Sequence, residues 1–329
     1  MSSLASRVRH VLRNYVFRRV GDDPSPITYW YLPEPPRVVD QASLTRYLAE
    51  TSPSPLFLMD YGRKLEYALT NAEGIPVLAY EPPIGRQVNP EVAFQVGLGL
   101  HDRWRETGEE KAKARFLRIA EHFLRDRDAM GRWCYHFAWD RSPNPWYSSL
   151  AQSRGASVML RAFRVTGRQE YADAARAGLA TFALPLEQGG LRHTHHVAGV
   201  PYLEEYPFQP TGVLNGFMSS TFGLYEVGHW LDDAPARALL EEYLASLELL
   251  LPLYTTRWWT LYDMDPASPF PNVHSPRYHR LATDYLRVIS AVFPRPAFTT
   301  HRDRWIGFDR PLNRGRAAAL KTLKKLVHR

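Results

Sequence analysis

The stretch NPEVAFQVGLGLHDRW, residues 89–104, sets the fold class of this chain. Its apolar side chains Val92, Val96, Leu100 and Trp104 recur every four residues, which is the spacing of one face of an α-helix. The pattern begins directly after an Asn-Pro pair, where a proline-rich region ends. The stretch therefore predicts a helix that buries one face against a neighbour.

A unit of two helices followed by an aromatic strand recurs along the chain. The further predicted helices share an apolar spacing of three or four residues, and they cover 116–123, 147–165, 170–182, 215–231, 236–251 and a last helix from Tyr278. The predicted hairpin strands share glycines or alternating aromatic and imidazole side chains: MGRWCYHF (130–137), QGGLRHTHHV (188–197) and TRWWTLYDM (256–264). The helix pairs start at a period of roughly 55 to 65 residues, and such units must stack to bury their apolar faces.

This repeat predicts a mainly α fold, an (α/α) toroid or incomplete barrel of helix pairs with short β-hairpins. In such an array the hairpin loops converge on one mouth. We therefore expect Tyr135 and His136, His193 and His195, and Tyr262 to approach one cleft, the alternative being that they only pack the loops.

Three segments are predicted. Residues 1–88 form a basic N-terminal helix and a proline-rich arm packed on the body, because proline cannot continue a helix. Residues 89–310 form the α/α-barrel domain, and 311–329 a basic C-terminal helix or tail.

Composition narrows the function classes. The 18 tyrosines and 9 tryptophans suit either a sugar-binding surface or a large aromatic core. The net charge of +7 is concentrated at both ends, where it attracts an acidic polymer, nucleic acid or an anionic membrane, or forms solvated tails. No nucleic-acid-binding module is recognisable, so we expect no nucleic-acid partner.

The sequence carries a single cysteine, Cys134, which excludes an intramolecular disulfide and a cysteine-based zinc site. We expect no signal peptide, no membrane span and a cytoplasmic location. Residues 4–19 are amphipathic and basic, which predicts either a docking helix or a helix on a membrane surface. His193 to His196 (HTHH) lack a nearby acidic partner, so we predict no metal site.

Four blocks of sequence are similar to one known family. EEYPFQPTGVLNGFMSSTFGLYEV (204–227), LLPLYTTRWWTLYDM (250–264), NVHSPRYHRLATDYLRVISAV (272–292) and PWYSSLAQSRGASVMLRAF (145–163) resemble the C-terminal domain of the D-glucuronyl C5-epimerases. The resemblance covers about residues 140–300. It implies an α/α barrel that converts D-glucuronate to L-iduronate within a heparosan-like acidic polysaccharide, without a cofactor. It also makes a homodimer a candidate assembly.

The resemblance places Glu205, Tyr206, Tyr262 and Tyr278 on the family's active-site positions. Removing the C5 proton creates an enediolate-like anion that must be stabilised, and inversion requires a proton from the opposite face. We expect Tyr278 and the Glu205/Tyr206 pair to be the opposing proton carriers, with Tyr262 at the ring edge. Neighbouring cations are expected to lower the pKa of the phenols, and Glu204 is expected to face solvent.

Substrate contacts are predicted for a further set of residues. Asn215 matches a substrate-contacting position of the family, and Arg277 and His279 flank Tyr278. The remaining candidates are Asn89, Trp146, Gln152, Arg154 and His195.

Two positions depart from the family pattern: Asp265 stands in place of an arginine and Ser219 in place of a tyrosine. An aspartate would repel a uronate, so Arg277 or Arg154 is expected to substitute, or the substrate differs. Four alternatives remain open at this point: a uronate lyase, a glycoside hydrolase, a non-catalytic polysaccharide-binding protein and an interaction scaffold.

Overall fold

The computed structural model describes residues 26–49, 54–67 and 69–327. The amphipathic segment predicted over 4–19 lies outside these residues. Among the residues described, no helix combines the length and apolar content that a membrane crossing requires.

An N-terminal arm precedes the helical body. It contains the short helices α1 (Pro26–Tyr31) and α2 (Gln41–Ala49) and a 3₁₀-helix, Gly62–Tyr67. A small antiparallel sheet follows, with β2 in the centre; its strands are β1 (Leu69–Thr70), β2 (Pro76–Ala79) and β3 (Arg86–Val88).

The helical body consists of helix pairs, as the sequence predicts. In the described part of the chain these are α3 (Pro90–Thr107) with α4 (Glu110–Arg125), α5 (Ser149–Thr166) with α6 (Gln169–Ala180), α7 (Leu214–Trp230) with α8 (Ala234–Tyr254), and α9 (Pro276–Val292) with α10 (Pro296–Phe308). The sequence reading missed α10. Its only buried side chains are Phe298 and Trp305, so its apolar pattern is too sparse to mark a helix face.

Local sequence fixes where these helices begin and end. The side chains of Asn89, Ser148 and Ser275 accept hydrogen bonds from the first-turn N–H groups of α3, α5 and α9. Gly108 and Gly167 end α3 and α5 in the left-handed conformation that glycine adopts without strain.

The first helices of the pairs form an inner row. Helix α3 packs on α5, α5 on α7 and α7 on α9, while each second helix covers its own partner from outside. Small residues let the inner helices approach closely: a Cβ at Gly223 of α7 would lie 2.8 Å from the Ser153 carbonyl oxygen of α5. The 3₁₀-helix packs on α3 and α2 packs on α9, so the arm bridges the two ends of the row. The predicted helical toroid is confirmed.

Short hairpins follow the helix pairs. Strands β4 (Arg192–Thr194) and β5 (Pro201–Leu203) form one antiparallel pair, and β6 (Leu261–Asp263) and β7 (Asn272–Val273) form another. The hairpin strand predicted over 130–137 does not form. This segment makes only a single β-bridge, between Tyr135 and Trp146. The C-terminal helix α11 (Pro311–Val327) packs on β7 and α9.

Candidate active site

The turn between β5 and α7 presents Glu205 to the first turn of α7. A Cβ at Gly216 would lie 2.5 Å from the Glu205 Oε2 atom, so only glycine leaves room for the carboxylate at this point of the helix. The partial positive charge of a helix N-terminus favours a carboxylate there. The glycine of the Asn-Gly pair at the start of α7 therefore leaves the space in which the Glu205 side chain lies.

Three phenols gather around Glu205. The Tyr206 hydroxyl is the hydrogen-bond partner of Glu205. Tyr206 also interacts with the side chains of Tyr262 and Tyr278. The rings of Tyr262 and Tyr278 meet edge to face with their centroids 5.6 Å apart. All four side chains are half-buried. The structure thus brings the predicted catalytic set into one cluster, supplied by the β5–α7 turn, by β6 and by the first turn of α9.

The protonation of this cluster differs from the expectation that cations lower the pKa of the phenols. Burial, reinforced by Asp263, raises the pKa of Glu205 to about 7, against the opposing hydrogen bond from Tyr206. Burial and the neighbouring Glu205 raise the pKa of Tyr206 and Tyr262 well above the ordinary value for tyrosine. Of these three groups, Glu205 is the one that ionises near neutral pH, while Tyr206 and Tyr262 keep their protons.

Glu204 does not face solvent as predicted. The residue is only 1% exposed, and its Oε2 accepts a hydrogen bond from the Gly212 N–H at 3.3 Å. Burial raises the pKa of Glu204 to about 8. The chain leaves β5 at Leu203 and folds back toward α7, so the alternation of a strand no longer decides which side chain faces out.

A chain of hydrogen bonds orients Asn215. The Trp305 carbonyl can only accept, so His279 Nε2 carries a proton and its Nδ1 accepts from the Thr260 hydroxyl at 2.7 Å. The single Thr260 proton is then used, and His274 Nδ1 donates to the Thr260 oxygen at 2.9 Å.

Burial lowers the pKa of His279 to about 4 and that of His274 well below its usual range, so both rings are neutral. His274 Nε2 is then an acceptor. The Asn215 Oδ1 position 2.7 Å from it must therefore be occupied by the amide NH₂, with the amide group turned over. The amide oxygen and nitrogen are assigned by this logic. The Asn215 oxygen remains as an acceptor on the side away from His274.

Several residues predicted to contact the substrate are buried, and their polar side-chain atoms bond to the protein in this structure. His279 belongs to the chain just described. His195 Nε2 is 3.0 Å from the Tyr254 hydroxyl, and its Nδ1 accepts from backbone N–H groups. Asn89 caps α3 and donates to the Tyr80 hydroxyl at 2.7 Å. Gln152 bonds the backbone N–H and carbonyl of Trp133 at 3.0 and 2.9 Å.

The two arginines expected to bind a uronate carboxylate lie in a buried charge network. Arg154 is 3.7 Å from Glu91, and its guanidinium donates to the Tyr285 hydroxyl at 3.2 Å. Arg277 donates to the arm at the Leu32 carbonyl and lies 3.4 Å from Glu34. Arg277 therefore holds the arm against α9, whereas Arg154 joins α5 to α3 and α9.

A lysine that was not among the predicted site residues lies beside the Glu205 and tyrosine cluster. Lys321 of α11 places its Nζ 4.7 Å from the Tyr262 ring centroid and donates to the Asn272 side chain at 2.6 Å. Asn272 in turn donates to Asp263 at 2.8 Å. No pattern around Lys321 distinguishes it from the other lysines of the C-terminal segment, so only the packing of α11 on β7 reveals its position.

An aromatic wall borders the same cluster. Trp146 stacks on Tyr135 with centroids 3.8 Å apart, and the Tyr206 ring lies 6.2 Å from Trp146 and 5.6 Å from Trp139. Trp139 is 37% exposed. Flat aromatic faces beside acidic and phenolic groups suit a sugar ring, and Trp139 was missed because it follows the predicted strand.

No group of three or more His, Cys, Asp or Glu side chains in the described ranges has metal-binding geometry. Fold and site together define a helical toroid protein with a carboxylate and phenols clustered at the hairpin mouth. The chain matches the profile of the D-glucuronyl C5-epimerase C-terminus over residues 127–307, more than half of its length. It belongs to the D-glucuronyl C5-epimerase family.

Individual relatives cover part of their own length. The chain is 34% identical over 240 residues to the D-glucuronyl C5-epimerase of Caenorhabditis elegans, across 66% of this chain and 38% of that protein. It is 29% identical over 154 residues to an uncharacterised protein of Methanocaldococcus jannaschii, across 45% of this chain and 49% of that one. The chain thus spans less than half of either relative.

Solved structures show distant likenesses. A family 76 glycoside hydrolase (mannosidase) from Bacteroides thetaiotaomicron aligns with a TM-score of 0.48 and 11% identity, covering 80% of this chain and 78% of that one. Unsaturated glucuronyl hydrolase from Bacillus sp. GL1 aligns with a TM-score of 0.46 and 16% identity, covering 70% and 60%. Likenesses of this size carry no statement about activity.

Proposed function

We propose that this protein inverts C5 of D-glucuronate residues in a heparosan-like acidic polysaccharide, giving L-iduronate without a cofactor. The observation that carries the proposal is the cluster of Glu205, Tyr206, Tyr262 and Tyr278, in which Glu205 has a raised pKa and the pKa of Tyr206 and Tyr262 also lies well above its usual range. Family membership and the similarity to the nematode enzyme support it.

Glu205 is the proposed base. Its carboxylate takes the C5 proton, and the electron pair of the C–H bond moves toward the uronate carboxyl group to form an enediolate. Tyr278, which comes from a different element, gives its phenolic proton to C5 on the opposite face. A base whose pKa of about 7 lies near the working pH combines availability with driving force.

One turnover leaves Glu205 protonated and Tyr278 as a phenolate. The chain Glu205–Tyr206–Tyr262–Tyr278 connects the two carriers through neighbouring phenols. Proton transfer along this chain restores both groups for the next turnover. Tyr206 and Tyr262 are thus proposed as the return path.

The developing enediolate requires positive charge. Lys321 is the proposed partner of the uronate carboxylate, because it lies beside Tyr262 and takes the place of the arginine that Asp265 replaces. Asp265 itself accepts from the Ala267 N–H at 2.9 Å and stabilises the turn after β6. The Asn215 oxygen is the proposed acceptor for a sugar hydroxyl.

The proposal is tested by incubation with heparosan and other glucuronate polymers in deuterated water, followed by NMR at C5. Deuterium at C5 together with new iduronate signals is the expected result, and Glu205→Gln and Tyr278→Phe should each abolish it. Glu187→Gln, an exposed carboxylate outside the cluster, is the matched control. Loss of the C5 proton with a rise in ultraviolet absorbance would show a lyase instead. Absence of exchange on every glucuronate polymer would overturn the proposal.

A further inference from the structure

A separate cavity of about 350 Å³ lies where the loop before β6 meets the last two helices. Its walls are built from Arg257 and Trp258 of the loop, Arg304 and Phe308 of α10, and Arg310 and Asn313 at the start of α11. None of these residues contributes to the catalytic cluster. The family match ends at residue 307, so it does not include Arg310 or Asn313.

The charge of this cavity is not neutralised by protein carboxylates. Among the ion pairs of the described residues, none involves Arg257, Arg304 or Arg310, and all three side chains are exposed. The acids next to these arginines in sequence are engaged elsewhere: Asp303 pairs with Arg302 at 2.8 Å, and Asp309 is held by Arg314 through bonds of 2.5 and 2.7 Å. The cavity therefore presents guanidinium groups available to an anionic ligand.

An indole with a fixed position accompanies the guanidinium groups. Trp258 is half-buried, lies near-parallel to Trp259 with centroids 6.1 Å apart, and is covered by the Arg316 guanidinium at 4.5 Å. Trp259 is fully buried and stacks on His279 at 3.8 Å, which anchors the pair. Guanidinium forks bind carboxylate or sulfate in bidentate fashion, and an aromatic face accepts a sugar ring. Together they fit an acidic sugar.

The cavity and the catalytic cluster lie along the same two elements. Trp258 lies in the tight turn between Thr255 and Thr260 that leads into β6, four residues before Tyr262, and α11 begins directly after Arg310 and carries Lys321. The helix rises about 15 Å over the ten residues from Pro311 to Lys321, so α11 separates the two places by more than one sugar ring. A ligand that occupies both must be a chain.

We propose that this arginine cavity is a distal subsite, which binds a carboxylate- or sulfate-bearing sugar of the acidic polysaccharide whose glucuronate lies at the catalytic cluster. The proposal rests on the proposed function and extends it. It assigns substrate length and charge selection to the cavity between the loop before β6, α10 and the start of α11, of which Arg310 and Asn313 lie outside the part of the chain that matches the family.

The test is the double variant Arg257→Ala/Arg310→Ala, measured by calorimetric binding of heparosan polymer and by C5 exchange kinetics. We expect affinity for the polymer to fall, and KM to rise, by about tenfold or more, because hydrogen bonds between ionised groups are lost. The kcat on the polymer and all kinetics on a trisaccharide too short to span both places should be unchanged. Arg103→Ala/Arg115→Ala removes the same charge from exposed positions elsewhere and is the matched control.

The outcomes separate the two proposals. Loss of polymer binding in the cavity variant without any C5 exchange by the wild-type protein would sink the proposed activity and leave the subsite standing. Equal losses in the cavity variant and the control would overturn the subsite, because general charge attraction would explain both. An equal loss of affinity for a single-stranded polynucleotide would also overturn it, since the cavity would then accept any polyanion.

Discussion

Gly216 shows how one missing side chain can control the proposed base. Glycine is a poor choice for the interior of a helix, where alanine is more stable by roughly 0.5–1 kcal/mol. The cost is explained by Glu205, whose carboxylate occupies the space that a Cβ would fill. The glycine therefore lowers the local helix propensity but leaves space for the Glu205 carboxylate.

Gly216→Ala should displace Glu205 while leaving the helix intact. We expect C5 exchange to fall by at least tenfold, because a small misplacement of a reacting group lowers the rate strongly. Urea unfolding should show a loss of about 1–3 kcal/mol at most, because the added methyl group would lie 2.8 Å from the Glu205 Cβ. Gly315→Ala, at a helical glycine with open space around it, is the control and should keep full activity. Unchanged exchange in Gly216→Ala would contradict the role assigned to this contact.

At the scale of elements, the inner helices are joined by a buried ion pair. Arg161 of α5 donates to both oxygens of Glu226 on α7 at 2.7 and 2.9 Å, with no exposure of either side chain. The arm joins the same network, since Tyr47 donates to Glu226 at 3.0 Å and Arg161 to the Leu56 carbonyl at 3.0 Å. One pair thus couples two inner helices and the arm.

Arg161→Leu should destabilise the protein by about 3–5 kcal/mol, because it leaves the Glu226 charge buried without its partner. Equilibrium unfolding in urea measures the change in the free energy of unfolding. Arg115→Leu, an exposed position on α4, should change it by less than about 0.5 kcal/mol. Similar stabilities for the two variants would show that the network contributes little.

The packing of α11 places the charge of Lys321 beside Tyr262. Lys321→Met keeps the aliphatic stem over Tyr262 and removes the charge, so C5 exchange on glucuronate polymers should fall by about tenfold or more. Lys321→Arg should recover much of the rate because it restores a cation. Lys111→Met, an exposed position on α4, serves as the control and should retain the wild-type rate. Failure of arginine to rescue the rate would indicate a packing role rather than a charge.

For the whole molecule, buried titratable groups tie stability to pH. Burial raises the folded-state pKa of Glu204 to about 8 and that of Glu91 to about 7. A carboxyl group with a raised pKa binds its proton more tightly when folded, so stability falls as pH rises from the unfolded value, about 4.3, toward the folded one. His195 and His279, with pKa values lowered to about 4, act in the opposite sense only below about pH 6.5.

Between pH 6.5 and 8 the carboxyl groups alone should govern this dependence. The free energy of unfolding is expected to decrease across this window, and Glu204→Gln should make the decrease shallower. Urea unfolding at several pH values measures both slopes, with Glu187→Gln as the exposed control. A flat profile in the wild-type protein, or equal slopes in wild type and Glu204→Gln, would contradict the assignment.

Residues differ in how far the sequence reveals their roles. Glu205, Tyr206, Tyr262 and Tyr278 could be singled out because they lie in distinctive blocks, and the fold brings them together. His195, Gln152 and Asn89 carry the same kinds of polar groups, but their partners are backbone atoms of distant segments. In the sequence nothing separates Lys321 from the other lysines, and only the packing of α11 on β7 shows that it lies beside Tyr262. Side-chain chemistry alone does not distinguish a ligand contact from a structural hydrogen bond.

The sequence by itself determined three of the four helix pairs of the described chain, the first helix of the fourth, their order and two of the three hairpins, because apolar periodicity and capping residues act over a few neighbouring positions. It also determined the family, through blocks of matched spacing. Only the tertiary structure decided that Glu204 is buried, that Arg277 bonds the arm, and that α11 brings Lys321 to Tyr262. Burial and charge pairing depend on segments far apart in the chain, so no local pattern encodes them.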